Sequence, residues 1–390
     1  MKKKLLVTAS TFPRWEGDTE PRFVLDLSAS MTEYYDVTVL VPASPGAKER
    51  EILNGVNVIR YHYFPMHRWE TLCAPGAIVP RIKEKKIRAL LVPFLFLSLF
   101  FHLIYLLPKY DVVHAHWLIP QGIVQGLFSK PYIVTGHGGD ISAFNKGIIK
   151  KFKKKCLEKA GSVVVVSKYK ERELLEIFPD IKTQIISMGV DSEKFNRDKN
   201  YIENYFQQGD KKVVLFVGRL ADIKGVEYLI DAMSGMENKK LVIVGDGPER
   251  ERLEARAASN NSDIKFLGSK THTELKTIFA SADVLVVPSI TDAKGAQEGL
   301  PTVIMEAMSS GLPVVGTATG GIPDIIADGK NGYLVEEKDA NAIARAINKV
   351  FASEEGYACL HSNALETGRR YDYKEIAKKY NKKYEEAMQK

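Results

Sequence analysis

Glu298-Gly299-Leu300-Pro301-Thr302-Val303-Ile304-Met305-Glu306-Ala307 sets two carboxylates eight positions apart around a Gly and a Pro, directly after an apolar run ending Val287-Pro288-Ser289. The first turn of a helix accepts proline because the N–H it lacks has no intrahelical partner there. A helix is therefore predicted over Pro301–Ser310, just past a strand end. Glu298 then lies in the loop ahead of the helix, and Glu306 about two turns inside it. In an open α/β sheet that junction lines the ligand crevice. Exposed backbone N–H groups and two separated acids suit a polyhydroxylated ligand that also carries phosphate. A nucleotide sugar has both features.

The length of 390 residues suggests two domains, and 45% apolar with 26% charged residues is an ordinary globular composition. Cys73, Cys156 and Cys359 are too far apart for a disulfide framework or zinc-ligand spacing, so a reducing cytoplasm is expected. The start, Met1-Lys2-Lys3-Lys4-Leu5-Leu6-Val7, is basic then apolar like a signal peptide. The apolar run stops at Ala9, before Arg14, Glu16 and Asp18, so it reads as a first strand. Charge is uneven: residues 1–190 carry 27 Lys+Arg against 17 Asp+Glu, and residues 191–390 carry 28 against 31. A basic half suggests an anionic surface or substrate on that side.

Short β-branched runs alternate with amphipathic helical stretches along nearly the whole chain, which implies parallel sheets covered on both faces. Strands are predicted at Lys4–Ser10, Asp36–Val41, Val56–Tyr61, Asp111–His116, Tyr132–Thr135, Ser162–Ser167 and Gln184–Ser187. The pattern restarts with Lys212–Val217 and continues through Lys240–Val244, Ile264–Leu267, Val284–Pro288, Pro313–Thr317 and Gly332–Val335. Two Rossmann-like domains are expected, at 1–190 and 211–370. A connection at 191–210 joins them, and a final helix at 371–390 packs back on the first.

Gly218-Arg219-Leu220-Ala221-Asp222-Ile223-Lys224-Gly225 follows the first strand of the second half. Arg219 leaves the strand end and Lys224 opens a helix, so both can converge on a phosphate at its positive end. The planar Arg fork and the Lys point charge suit a diphosphate leaving group.

These residues, with Val244-Gly245-Asp246-Gly247-Pro248 and the Glu298–Ala307 stretch, resemble the donor half of family-4 retaining glycosyltransferases of GT-B fold. Ser187-Met188-Gly189-Val190-Asp191 with Phe195 is similar to that family's domain-linking segment. Gly320-Gly321-Ile322-Pro323-Asp324 is similar to the loop before its penultimate donor-domain helix. The five motifs stand in the family's order and cover nearly the whole chain. The resemblance implies an α/β GT-B fold, two Rossmann-like domains facing each other across a deep cleft. It implies that Arg219 and Lys224 bind the donor diphosphate, Glu298 the sugar hydroxyls and Glu306 the ribose. Gly218, Gly245, Gly299, Leu300 and Pro301 would supply the donor loops.

In the first half, Thr11-Phe12-Pro13-Arg14-Trp15-Glu16-Gly17-Asp18 follows the first strand, where the family usually has two adjacent glycines and this chain has Gly17 alone. Phe12-Pro13 and Trp15 through Pro21 resemble one branch of the family. Gly136-His137-Gly138-Gly139-Asp140 looks like the family's active-site histidine loop. His137 would contact the transferred sugar and Asp140 would lie near the acceptor. His114 and His116 share one face of a strand. Without Asp, Glu or Cys at ligand spacing they suit strand-end packing, or acceptor contact by His116, better than a metal.

Ile87–Pro108 is the most hydrophobic segment, and from Ala89 to Leu107 it is long enough to span a bilayer at roughly 20 residues. Strand–helix alternation resumes straight after it, so either a core helix or an interfacial helix is expected. Arg81, Lys83, Lys85, Lys86 and Arg88 would contact anionic lipid in the second case. Lys150-Lys151-Phe152-Lys153-Lys154-Lys155 adds basicity without a nucleic-acid motif, so no nucleic-acid partner is expected.

The combined expectation is a retaining, metal-independent glycosyltransferase with no cofactor. A UDP- or GDP-sugar is its co-substrate and a glycan or lipid-linked molecule its acceptor. It would work in the cytoplasm, at the inner face of the membrane. A GT-B sugar phosphorylase, a sugar-nucleotide epimerase or a catalytically inactive nucleotide-sugar-binding subunit would share the architecture.

Overall fold

The computed structural model describes residues 2–18, 20–73, 76, 78–260, 262–293, 295 and 297–390. Thr19, within the Trp15–Pro21 stretch, lies outside them. The chain forms two compact units, Met1–Ser187 with Tyr373–Lys390, and Met188–Asp372.

Strands of the first unit are β1 (Lys3–Thr8), β2 (Tyr35–Pro42), β3 (Arg50–Leu53), β4 (Val56–Tyr61), β5 (Val112–His116), β6 (Tyr132–Gly136), β7 (Ser162–Val165) and β8 (Thr183–Ile185). They lie in the order β3-β4-β2-β1-β5-β6-β7-β8, parallel except for the antiparallel pair β3–β4. Leu5, Leu6 and Val7 are all buried, as expected of a strand with helices on both faces. Side chains of one face, with Leu6, Leu40 and Val113, pack beneath Leu95, Leu99 and Leu103 of the helix Val92–Leu106. The opposite face, with Leu5, Val37 and Val39, packs against the helices Phe23–Met31 and Tyr373–Gln389. β3 was not predicted. It is a four-residue edge strand carrying Arg50 and Glu51, and such short charged edges resist pairing with other chains while showing little periodicity.

The second unit holds β9 (Lys212–Val217), β10 (Lys239–Val244), β11 (Ile264–Gly268), β12 (Val284–Val287), β13 (Val314–Thr317) and β14 (Gly332–Val335). Their order is β11-β10-β9-β12-β13-β14, all parallel.

One expectation is corrected. The segment 191–210 is part of the second unit and does not act as a separate connection. Phe195 and Phe206 are buried in it, Ser310 Oγ donates to the Phe195 carbonyl at 2.6 Å, and Arg197 donates to the Ala282 carbonyl at 3.0 Å. Two isolated aromatic anchors fix this stretch, so no periodicity betrays it. The apolar segment is a helix running Lys86–Lys109, long and apolar enough to cross a membrane by length and composition. Leu91, Leu95, Leu99 and Leu103 face the core, whereas Ile87, Leu90, Leu97 and Phe101 are 55–72% exposed. It is therefore a half-buried helix with an apolar outer face.

The helix Tyr373–Gln389 reaches under the sheet of the first unit. Tyr384 OH bonds His114 Nδ1 at 2.8 Å and Tyr380 OH bonds Thr135 Oγ1 at 3.3 Å. Tyr384→Phe leaves His114 Nδ1 buried without a partner. It is expected to cost about 1–3 kcal/mol of stability in urea unfolding. No measurable loss contradicts this role.

Candidate functional site

In each sheet the chain runs outward to one side of its first strand and then returns to the other. In the second unit this switch falls between β9 and β12, and in the first unit between β1 and β5. Loops leaving the carboxyl ends of such strands diverge and open a crevice. Most of the predicted site residues lie in loops at the carboxyl ends of the strands, while His116 ends β5 and Glu306 lies within the helix Thr302–Ser309.

After β9, Gly218 N–H donates to the Val244 carbonyl, and a short turn Asp222–Lys224 precedes the helix Val226–Ala232. Gly225 ends the turn at φ +60°, and a Cβ there would lie 2.0 Å from the Pro288 carbonyl oxygen. Gly245, at φ +137°, would place a Cβ 1.8 Å from the Gly218 carbonyl oxygen. Only glycine permits approaches this close. Gly218 and Gly245 thus act here by packing the loops after β9 and β10 together.

This packing sets Lys224 Nζ on Glu298 Oε1, in an ion pair whose side chains are 19% and 17% exposed. Ser289 Oγ donates to the other Glu298 oxygen at 2.8 Å. The sequence reading assigned Lys224 to phosphate and missed this pairing. An ammonium has three donors, so it can keep Glu298 and still reach a phosphate oxygen. Arg219 is exposed and, among the described residues, forms no ion pair. Glu298 also anchors the next loop, since Gly321 N–H donates to its carbonyl at 3.2 Å.

Pro301 caps the helix Thr302–Ser309, which starts one residue later than predicted, so Glu306 lies about one turn inside it. Glu306 is partly buried; Gly299 and Leu300 occupy the loop ahead of the cap.

In the first unit His137 Nε2 and His116 Nδ1 lie 2.9 Å apart. His116 is fully buried, with no partner for its Nε2 among the described residues. An orphaned buried N–H is rarer than an unpaired acceptor. His116 therefore carries its proton on Nδ1 and donates to His137, leaving the His137 proton on Nδ1. His116 supports His137 from below and is not open to an acceptor, which corrects that expectation. Asp140 also holds the loop together. Its Oδ1 accepts from the His137 and Gly138 N–H groups at 3.1 and 2.8 Å, and its Oδ2 from Leu118 N–H at 2.8 Å. It shapes the histidine loop. Gly17 stands exposed at φ +81°, in a loop closed by the Arg14–Asp18 ion pair at 2.6 Å.

Burial pushes His137 down to about 4 against the ordinary 6.5, although Asp140 opposes the shift. His114 and His116 are pushed down by the same cause. The unfolded chain then takes protons first as the pH drops. Stability is full above about pH 6.5 and lost as pH falls toward 4, by roughly 1–3 kcal/mol for His137. Nitrogen-15 histidine spectra are expected to show neutral, Nδ1-protonated His137 at pH 6. An imidazolium signal there contradicts the assignment.

Trp117 went unassigned in the sequence. Its ring lies 4.9 Å from His137, and its backbone holds φ +69°, which a tryptophan sequence gives no reason to expect. Among the described residues, no three His, Cys, Asp or Glu side chains are grouped to hold a metal ion.

The chain matches the family described as glycosyl transferases group 1 over residues 198–367, and glycosyltransferase family 4 over residues 21–194. It is 31% identical to an uncharacterized glycosyltransferase of Methanocaldococcus jannaschii over 71% of this chain and 75% of that one. It is 28% identical to a Bacillus subtilis glycosyltransferase named for teichuronic acid biosynthesis, over 61% of each. Among solved structures it is similar to sucrose-phosphate synthase from Thermosynechococcus elongatus, with a TM-score of 0.78 at 22% identity over 98% of both chains.

Proposed function

Because the chain belongs to the family-4, group 1 glycosyltransferases of GT-B fold, we propose that it transfers a sugar from a nucleotide diphosphate, a UDP- or GDP-sugar, to a glycan or lipid-linked acceptor with retention of configuration. The reaction serves cell-envelope polysaccharide or glycolipid synthesis, a reading supported by the Bacillus relative's name for teichuronic acid biosynthesis. The strongest support is the Lys224–Glu298 pair at the β9–β12 switch point. It sets a cation suited to phosphate beside an acid suited to sugar hydroxyls, the juxtaposition that a sugar diphosphate requires.

In this mechanism the acceptor hydroxyl attacks the anomeric carbon from the face the diphosphate leaves. The bond between that carbon and the β-phosphate oxygen breaks, and the departing oxygen takes the acceptor proton. Arg219 and Lys224 stabilise the charge growing on the diphosphate. Glu298 orients the sugar, Glu306 the ribose, and neutral His137 donates from Nδ1 to a sugar hydroxyl. Two cations neutralise the leaving group, so no metal is required. Lys224→Ala and Arg219→Ala are each expected to lower turnover roughly 10²–10³-fold, and activity is expected to survive EDTA. Near-normal kcat/KM in both variants contradicts the roles, and strict dependence on added Mg²⁺ or Mn²⁺ contradicts the metal-free scheme.

Peripheral membrane contact at the inner face is part of the proposal. Lys83, Lys85 and Lys86 are exposed beside the apolar outer face of Lys86–Lys109. Arg81 and Arg88 are less available, because both pair with Glu84 at 2.8 Å. Each free cation near an anionic leaflet is worth about 1 kcal/mol, screened over roughly 8 Å at physiological salt. Flotation is expected with anionic liposomes, to weaken with salt, and to weaken further when the three lysines become Glu. No binding at low salt contradicts it.

A further inference from the structure

The first unit contains a cavity of about 280 Å³ at its own switch point. Ser10 and Thr11 after β1, Trp117 and Ile119 after β5, and Gly139 and Asp140 after β6 line one part of it. The rest is hydrocarbon: Val79 and Ile82 of the helix Ile78–Glu84, Leu95 and Phe96 of Val92–Leu106, and Ala143 and Phe144. The carboxyl-end crevice of an α/β sheet is where ligands bind. Here that crevice is lined mostly by apolar side chains.

We infer that this cavity binds the hydrocarbon chain of an anionic, amphiphilic acceptor. The inference rests on the acceptor reading above and narrows it to a lipid phosphate.

Three observations carry it. Trp117 links the cavity to the reacting side of the molecule, since the indole that lines the wall also lies against His137 at 4.9 Å. An acceptor whose chain occupies the cavity therefore holds its head one ring away from that histidine.

The wall is also built against local preference. Trp117 at φ +69° and Phe144 at φ +57° occupy a region that bulky side chains avoid, and such residues persist only where surrounding structure enforces them. Lys153, fully buried, ties down residues around Phe144: its ammonium donates to the Ile141 and Ala143 carbonyls at 2.8 and 3.0 Å and to Asn145 Oδ1 at 2.6 Å. Phe144 is left 56% exposed.

Charge matches an anionic head. Two segments that supply part of the apolar wall are followed in the chain by exposed lysines, Lys83, Lys85 and Lys86 after Ile82 and Lys146, Lys150 and Lys151 after Phe144. Apolar lining beside basic groups complements a hydrocarbon attached to phosphate.

Size sets the readout. At about 30 Å³ per water-sized group, the cavity takes roughly nine such groups. A series of n-alkyl phosphates of four to fourteen carbons, each below its micelle concentration, is titrated against the whole chain and followed by tryptophan fluorescence. Affinity is expected to rise about four-fold per added methylene and to level off near nine or ten carbons. Ala143→Phe, which fills the cavity, is expected to abolish the chain-length dependence. Lys146→Glu with Lys150→Glu is expected to weaken alkyl phosphates but not the matching alkyl glycosides. A thermal shift with UDP or GDP checks that each variant is folded. Affinity independent of chain length, or an unchanged length dependence in folded Ala143→Phe, overturns the inference. If alkyl phosphates fail while sugar transfer to a soluble glycan proceeds, the cavity inference falls and the transferase reading stands. If they bind as expected but no nucleotide sugar is turned over, the reaction reading falls and the cavity's ligand class stands.

Discussion

An ammonium set against a carboxylate at the carboxyl edge of a parallel sheet, Lys224 on Glu298, organises the second unit. The two residues are 74 positions apart and arrive from strands adjacent in the sheet, β9 and β12. Their meeting depends on backbone approaches that leave no room for a Cβ, at Gly225 against Pro288 and at Gly245 against Gly218. A side chain at either glycine would push the β9 loop off its neighbours and carry Lys224 away from Glu298. Ser289 and the N–H of Gly321 then fix Glu298 from two further directions. Glycine placement, more than charge itself, decides where these charges sit.

The first unit uses burial where the second uses an ion pair. His114, His116 and His137 form a column in which both ring nitrogens of His114 are occupied, by Tyr384 and Thr135, and His116 is spent on His137. Loss of solvation keeps all three neutral. What emerges at the top is one uncharged imidazole with a defined tautomer.

Much of this was legible in the sequence, for identifiable reasons. Buried parallel strands give β-branched runs, so all six strands of the second unit were found. Glycine- and proline-marked loops pointed to residues 218–225, 245–248 and 298–301. The illegible parts are those that depend on tertiary pairing. Arg50–Leu53 is too short and charged to register, and 191–210 is held by Phe195 and Phe206 without a repeat. Asp140 was placed near the acceptor by resemblance alone, which says nothing of its part in the loop. Its three backbone N–H partners become visible only once the loop is folded. The apolar run 89–107 gave its composition but not its sidedness, since leucines spaced four apart and outward aromatics are mixed along it.

The central claim, that Lys224 and Glu298 act on one sugar diphosphate as a unit, is tested most directly by a double-mutant cycle. Lys224→Gln, Glu298→Gln and the double variant are compared by kcat/KM with the preferred nucleotide sugar. Residues that share one ligand and one ion pair are expected to be non-additive, with the double variant losing about 1–3 kcal/mol less than the sum of the singles. Losses that add to within about 0.5 kcal/mol would show two independent sites and contradict the account.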